Sequence, residues 1–250
     1  GNGVEEPSLT YTTAYQTEKD SFYVTVGLWQ AGQNRIFIDC NVQSPADMLS
    51  PGRIGMTAIL PVRFTAMKWY GKGPLETYPD RQCGGRMGVY SEDVRNQPFY
   101  LRPQEYGLHT ESRSMRLTDP DRADFVRFEA ACPMAMSAVP YSDLQLWNAR
   151  HPFELPAPEA LYVHLDYAHR GLGNSSCGPD VLPTYRIDDR PCRFGFALEA
   201  GLGEREDNPF GPIPEEIPAY HPWKAVGEQD GTPSYRDPSD PDQRSNAGMV

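Results

Sequence analysis

A two-residue rhythm constrains this chain more than any other feature. In "SFYVTVGLW" the apolar residues Phe22, Val24 and Val26 fall on alternate positions, and in "RIFIDCNV" Ile36, Ile38, Cys40 and Val42 do the same. A period of two puts such residues on one face of a strand, whereas a helix needs a period near 3.6. The "AGQN" between them is turn-forming, so the pair predicts a β-hairpin with a four-residue connection. "RIGMTAILPVRFTAMKWY" is a longer apolar stretch that Pro61 should break or bulge, because proline has no ladder donor. Further strand candidates are "HTESRSMRLTD", "DFVRFEA", "ALYVHLDYAH" and "CRFGFALEA". No segment carries a helical apolar stripe, and "SDLQLWNA" predicts one or two helical turns with Ser142 as N-cap. An all-β chain is expected, and the lack of a fixed-period repeat excludes solenoids and propellers.

The chain has 250 residues, enough for a sizeable core, and 11% aromatic content offsets a modest 39% hydrophobic fraction. From about Gly201 the sequence turns rich in proline and acid and loses all period. Residues 1–200 are therefore expected to form the domain, and 201–250 a linker or a tail wrapped on the surface. A formal net charge of −11 argues against nucleic acid and anionic membranes as partners, and suits neutral ligands such as sugars. No run of about 18 apolar residues is present to span a bilayer. The opening "GNGVEEPSLT" lacks the regions of a secretory signal, which favours the cytoplasm over secretion while leaving the compartment open. Five scattered cysteines, odd in number and without a C-x-x-C pair, read as free thiols.

Three stretches carry enough polar chemistry to be candidates. A glycosidase needs two carboxyl groups, about 5–5.5 Å apart for retention or about 6.5–9.5 Å for inversion. "WYGKGPLETYPDR", residues 69–81, offers Glu76 and Asp80. The competing reading pairs Asp80 with Arg81, or caps the turn at Pro79, and leaves Glu76 in solvent. Glu105 has Arg102, Arg113 and Arg116 nearby in sequence, which predicts a structural ion pair. His164 and His169 lie five apart in a strand candidate and are expected on opposite faces, unable to share a metal without a bend. No nucleotide or nucleophile-elbow motif occurs, and no cofactor is expected. In "HRGLGNSSCGPDVLPTYR", residues 169–186, Gly171, Gly173 and Gly178 would let backbone approach a ligand closely. Asn174, Ser175 and Ser176 would meet hydroxyls, and Tyr167 and Tyr185 would offer flat faces to a sugar. A long polar surface loop explains the same composition. Cys177 lacks an evident basic neighbour to make it a nucleophile.

Taken together, G-x-G-P-x-E-x-Y-x-D-R (71–81), R-P-Q-E-x-G (102–107) and G-x-G-x-x-S-x-G-P (171–179) resemble the C-terminal domain of family-two glycoside hydrolase β-galactosidases. That domain, domain five of the large enzymes, is also the small chain of two-subunit forms. The resemblance covers roughly residues 20–200. It implies a β supersandwich of galactose mutarotase-like fold, and a non-catalytic role completing the galactoside pocket of a TIM barrel. The barrel, on a separate domain or a large subunit, carries the catalytic glutamates. Magnesium and sodium sites of the parent family lie on other domains, and the parent is expected to be a homo-oligomer. The glycine-rich loop would reach the sugar through Cys177, where some members have tryptophan, with Asn174, Ser176 and His169 as further substrate contacts. Glu76, Tyr78, Asp80, Arg81 and Glu105 would form a structural lock.

In the lock, Trp69 and Tyr70 are expected to end a core strand, Gly71 and Gly73 to take positive φ, and Pro74 to fix the exit. Two departures stand out. Tyr106 replaces the usual asparagine, and the R-A-P-x-D-N-D segment at the start of the family domain is absent. Alternatives are a stand-alone carbohydrate-binding module and an aldose mutarotase using His109 or His169 with Glu105.

Overall fold

A computed structural model describes residues 8–16, 21–31, 33–43, 51–98, 100, 105–173, 180–187 and 191–203. In chain order the strands are β1 (Leu9–Gln16), β2 (Ser21–Gln30), β3 (Arg35–Gln43), β4 (Arg53–Pro61), β5 (Ala66–Gly73) and β6 (Arg86–Asp93). They continue with β7 (His109–Thr118), β8 (Phe125–Val139), β9 (Ala160–His169) and β10 (Cys192–Gly201), with helix α1 (Asp143–Asn148) between β8 and β9. Every strand pairing among them is antiparallel.

The alternating apolar residues dictate a fold in two layers. The main ladder runs β1-β2-β3-β10-β8-β7-β5-β6, and it forks at β8. The first half of β8, Phe125–Ala130, pairs with β10, whereas Ala135–Val139 pairs with β9, which in turn pairs with β4. Pro133 lies between those two halves, where register also slips against β7, so its missing N–H costs little. The β4–β9 arm folds back over β3 and β10. The Cys40 thiol donates to Met56 Sδ at 3.2 Å across the layers, and the Tyr167 ring stacks on Phe194 with centroids 5.6 Å apart. Leu161, Val163 and Leu165 of β9 thus meet Ile38 and Cys40 of β3 and Phe194 and Phe196 of β10 in one buried core. The all-β sandwich class is the one expected.

The β2–β3 hairpin closes over four residues, with the Ala31 amide donating to the Arg35 carbonyl at 2.9 Å. Pro61 ends β4 and the chain resumes as β5 at Ala66. The Ser142 hydroxyl caps α1, and a reciprocal bond from its own N–H to Gln145 completes a capping box. Among the described residues Cys40, Cys83, Cys132 and Cys192 form no disulfide with one another, while Cys177 lies outside the described residues. The expected tail lies outside them too, apart from its first three residues. No helix among the described residues is long and apolar enough to cross a membrane.

The readings of residues 69–74 need correction. Strand β5 continues past Tyr70 to Gly73, and neither Gly71 nor Gly73 has positive φ. A Cβ on Gly71 would lie 2.6 Å from Ser112 Oγ, and one on Gly73 would lie 2.6 Å from the Tyr90 ring. These glycines serve close packing across strands, not a turn.

Candidate functional site

The fork leaves one face of the β4–β9 arm turned away from the core. Thr57 of β4, His164 of β9 and Ser137 of β8 form one cross-strand row on it, and Gly55, Asp166 and Ala135 form the next. Then the register slips. Gly55 pairs with Asp166 but Ile54 pairs with Ala168, so Tyr167 is an extra residue on β9. Such a bulge reverses the in–out phase of the residues beyond it. His169, opposite Arg53, therefore joins His164 and Asp166 on the same outer face. The expectation that an offset of five separates the two histidines fails because it assumed a regular strand.

Arg53 is the hub. Its Nη1 donates to His164 Nδ1 at 2.6 Å, and its Nη2 donates to Glu105 Oε2. Its Nε lies 3.8 Å from Asp166 Oδ2, and its Nη1 lies 3.8 Å from Asp143 Oδ2 at the start of α1. Asp143 Oδ1 also stands 3.8 Å from His164 Nε2. Asp166 has a side chain only 1% exposed, and its Oδ2 accepts no hydrogen bond from the described residues. A Cβ on Gly55 would sit 2.4 Å from Asp166 Oδ1, so that glycine makes room for the carboxyl group.

These contacts separate the titrations of neighbouring groups. Burial pushes the Asp166 carboxyl up to about 7, against the pull of Arg53. Burial, reinforced by Arg53, pushes His164 down to about 4, in keeping with an Nδ1 that accepts a proton donor. His169 moves the other way: burial alone would lower it, but the Glu105 carboxylate, 3.5 Å from its Nε2, outweighs that. Its Nδ1 meets the Arg170 carbonyl at 2.6 Å, an arrangement suited to an imidazolium donating from both nitrogens. Burial would raise Glu105, yet His169 and Arg53 hold it below the usual carboxylate range. Among the described residues no group of three or more His, Cys, Asp or Glu is placed to hold a metal ion.

The segment 76–81 borders this cluster. Tyr78 and Arg81 exchange backbone bonds of 3.1 and 2.9 Å around Pro79 and Asp80. The buried Tyr78 ring meets His169 edge-on at 5.5 Å, and the Arg81 guanidinium lies over Tyr78. Glu76 accepts from Arg81, from the Tyr100 hydroxyl and from the Gly107 amide at 2.8 Å, where φ of +73° calls for glycine. Asp80 instead accepts from the Leu172 and Gly173 amides at 3.0 and 2.6 Å. The reading that paired Asp80 with Arg81 and left Glu76 in solvent is therefore wrong, since each carboxylate has backbone donors within reach. The arginines expected around Glu105 are also wrong. Arg53 and His169 hold it, while Arg113 turns to Glu111 and Arg116 lies over Phe125; Arg102 is outside the described residues.

Tyr167 is no sugar platform, because its ring is stacked on Phe194. His109 is buried away from the cluster, stacked on Trp69 with centroids 3.8 Å apart. Tyr106 packs with Val139 and Leu146, seating α1. Asn174, Ser176 and Cys177 lie outside the described residues. Sequence reasoning missed Arg53, Asp143 and Asp166. The density of titratable groups in "HLDYAH" was the available signal.

Fold and site together define an antiparallel β-sandwich domain that carries a buried mixed-charge cluster on the outer face of one arm and a carboxylate-anchored glycine turn beside it. A sequence model of the β-galactosidase small chain matches residues 3–198, and the chain belongs to that family. It is 32% identical over 205 residues to a β-galactosidase of Bifidobacterium adolescentis, covering 80% of this chain and 19% of that protein. With a β-galactosidase of Arthrobacter sp. (strain B7) the identity is 33% over 168 residues, covering 64% of this chain and 16% of the relative. With that of Staphylococcus xylosus it is 31% over 156 residues, covering 61% and 16%. The chain thus matches one segment of much larger proteins. Among solved structures, a putative aldose 1-epimerase from Escherichia coli K12 aligns over 77% of this chain and 65% of its own, with TM-score 0.42 and 10% identity.

Proposed function

We propose that this chain is the non-catalytic C-terminal part of a β-galactosidase, and that it completes the galactoside pocket of a catalytic barrel carried elsewhere. The observation that carries this reading is the Asp80 clamp on the Leu172 and Gly173 amides. It fixes the start of the glycine-rich segment against the sandwich. A Cβ on Gly171 would lie 2.7 Å from Asp80 Cγ, and Gly173 has φ of +59°. A segment anchored so closely at its base can present the residues beyond it to a neighbouring domain with little loss of conformational entropy. Glu76 and Asp80 spend their lone pairs on the protein's own donors, which suits anchoring better than acid catalysis. The matched relatives, β-galactosidases by name and five to six times longer than the matched segment, support the same reading.

The test is hydrolysis of a chromogenic galactoside. The purified chain should be inactive alone and should restore activity to the same enzyme lacking this segment. Asp80→Ala should impair that restoration. Robust turnover by the isolated chain, or no restoration by the wild-type chain, overturns the reading.

A further inference from the structure

The sandwich core is closed on one side and open on the other. In the main sheet Phe194 and Phe196 of β10 and Ile38 and Cys40 of β3 are buried, Val24 and Leu28 of β2 are half-buried, and β1 is exposed along its whole length. The second layer follows the same gradient, from Leu161, Val163 and Leu165 of β9, all buried, to Ile54, Met56, Ala58 and Leu60 of β4, all half-buried. Both layers thin out on the same side, because the contact between Cys40 and Met56 sets β4 over β3. Leu9, Tyr11 and Tyr15 stand directly opposite Leu28, Val26 and Phe22, so they continue the inner face of the sheet past the last strand of the layer above. Leu9 is 55% and Tyr11 45% exposed. Among the described residues β4 pairs with β9 alone, which leaves its other edge free. Natural edges are blunted by charge, proline or bulges. Here the bulge lies at Ile54 and Gly55 and the proline at Pro61, and residues 56–60 between them carry no charge. Neither β1 nor β2 holds a charged residue, in a chain that is 23% charged.

We propose that a strand from the remainder of the galactosidase adds to the free edge of β4 and roofs the exposed inner face of β2 and β1. Strands in a sheet lie about 4.8 Å apart and stacked sheets about 10 Å, so a strand bonded to β4, which sits over β3, comes to lie over β2 with β1 as its neighbour. The backbone of residues 56–60 supplies the pairing, and Val24, Leu28, Leu9, Tyr11 and Tyr15 supply an apolar floor. This fixes the chemistry of the incoming segment. It alternates, with apolar residues turned inward and no charge on that side, since burying a charge against a neutral face is costly. The chain spans only 16–19% of the relatives it matches, so most of such a protein lies outside it and can supply the strand. A second copy fits less well. Two chains of net charge −11 repel each other, and pairing β1 with β1 would leave the edge of β4 free and the inner face uncovered. The proposal deepens the reading above and rests on it for the source of the strand.

The experiment mixes the purified chain with the galactosidase lacking this segment and follows backbone hydrogen exchange, with hydrolysis of a chromogenic galactoside measured in the same mixtures. In an edge strand alternate amides point away from the neighbouring strand. Those of residues 56–60 that turn away from β9 should exchange freely in the isolated chain and slow at least about tenfold in the mixture. Strand β6, the edge at the other end of the main ladder, should not change. Tyr11→Glu, at an exposed position that should leave the melting curve of the isolated chain in place, should weaken binding about tenfold or more by calorimetry. Met87→Glu on β6 should leave binding unchanged. Exchange of β4 unaltered on mixing, or Tyr11→Glu binding as tightly as the wild type, overturns the proposal. So does protection of the same amides in the isolated chain, which would show the edge covered by the chain itself or by a second copy. Restored hydrolysis without protection of β4 defeats this inference alone. Protection of β4 without restored hydrolysis defeats only the completion of the pocket, so the two readings fail separately.

Discussion

The two faces of β9 are built from the same ten residues and obey opposite rules. On the inner face Leu161, Val163 and Leu165 are sealed in the sandwich core, where stability comes from area removed from water and from close packing. On the outer face His164 and Asp166 are nearly as buried, but their neighbours are Arg53, Thr57 and Asp143. Burial there opposes charge, and each group is tolerated through its partners or by shifting its proton affinity. The inner face reads as scaffold. The outer face reads as a buried charge network held together by its own partners.

The sharpest way to break this contrast is to make a cavity on the inner face. Leu165→Ala should cost about 4 kcal/mol, within the range for a fully buried leucine, and chemical denaturation would show it as a lower midpoint with an unchanged slope. Arg53→Ala on the outer face should come next, at about 3 kcal/mol, because it takes the nearest cation from Asp166 and leaves Glu105 with His169 alone. A loss under about 1 kcal/mol would mean that the outer face is better hydrated than its burial implies.

The third prediction concerns pH. Asp166 titrates near 7 when folded and near 4 when unfolded, so the folded state holds more protons in between. Its contribution is complete below about pH 4 and is lost as pH rises through 7. His164 runs the other way. Its folded value near 4 lies below the unfolded value near 6.5, so its contribution is present above about 6.5 and is lost as pH falls through 4. Across about pH 4 to 6.5 the two slopes oppose each other, each at most about 1.4 kcal/mol per pH unit. Asp166→Asn should therefore give a stability profile that rises more steeply with pH than the wild type over this window. His164→Gln should give one that falls more steeply. Parallel profiles for both variants and the wild type would show that neither group titrates as described.

The smallest effect is expected at Arg81. Its side chain is 54% exposed, so losing the pair with Glu76 should cost about 0.2–1 kcal/mol, and thermal melts should move little. Tyr100 and the Gly107 amide still hold the carboxylate.

Legibility in the sequence tracked locality. The β2–β3 hairpin, the break at Pro61 and the cap at Ser142 depend on residues close together in the chain, and all could be read from it. Strand β1, exposed along its whole length, and β6 carry too weak an apolar alternation to be recognised. The second half of β8, "CPMAMSAV", hid behind a proline whose tolerance depends on a change of strand partner. The cluster was least legible of all. Arg53 meets His164 and Glu105 only because β4 pairs with β9, and His169 joins them only because Tyr167 is bulged. Neither long-range register nor a one-residue slip leaves a local mark.

Strand β8 has a further consequence. Because one unbroken fifteen-residue segment contributes its first half to one layer and its second half to the other, neither layer can detach without fraying the strand they share. The sandwich should melt as a single cooperative block. The slowest-exchanging amides of β9 and β10 should then report the same opening free energy, and any ligand gripping the outer arm would tighten the distant layer with it.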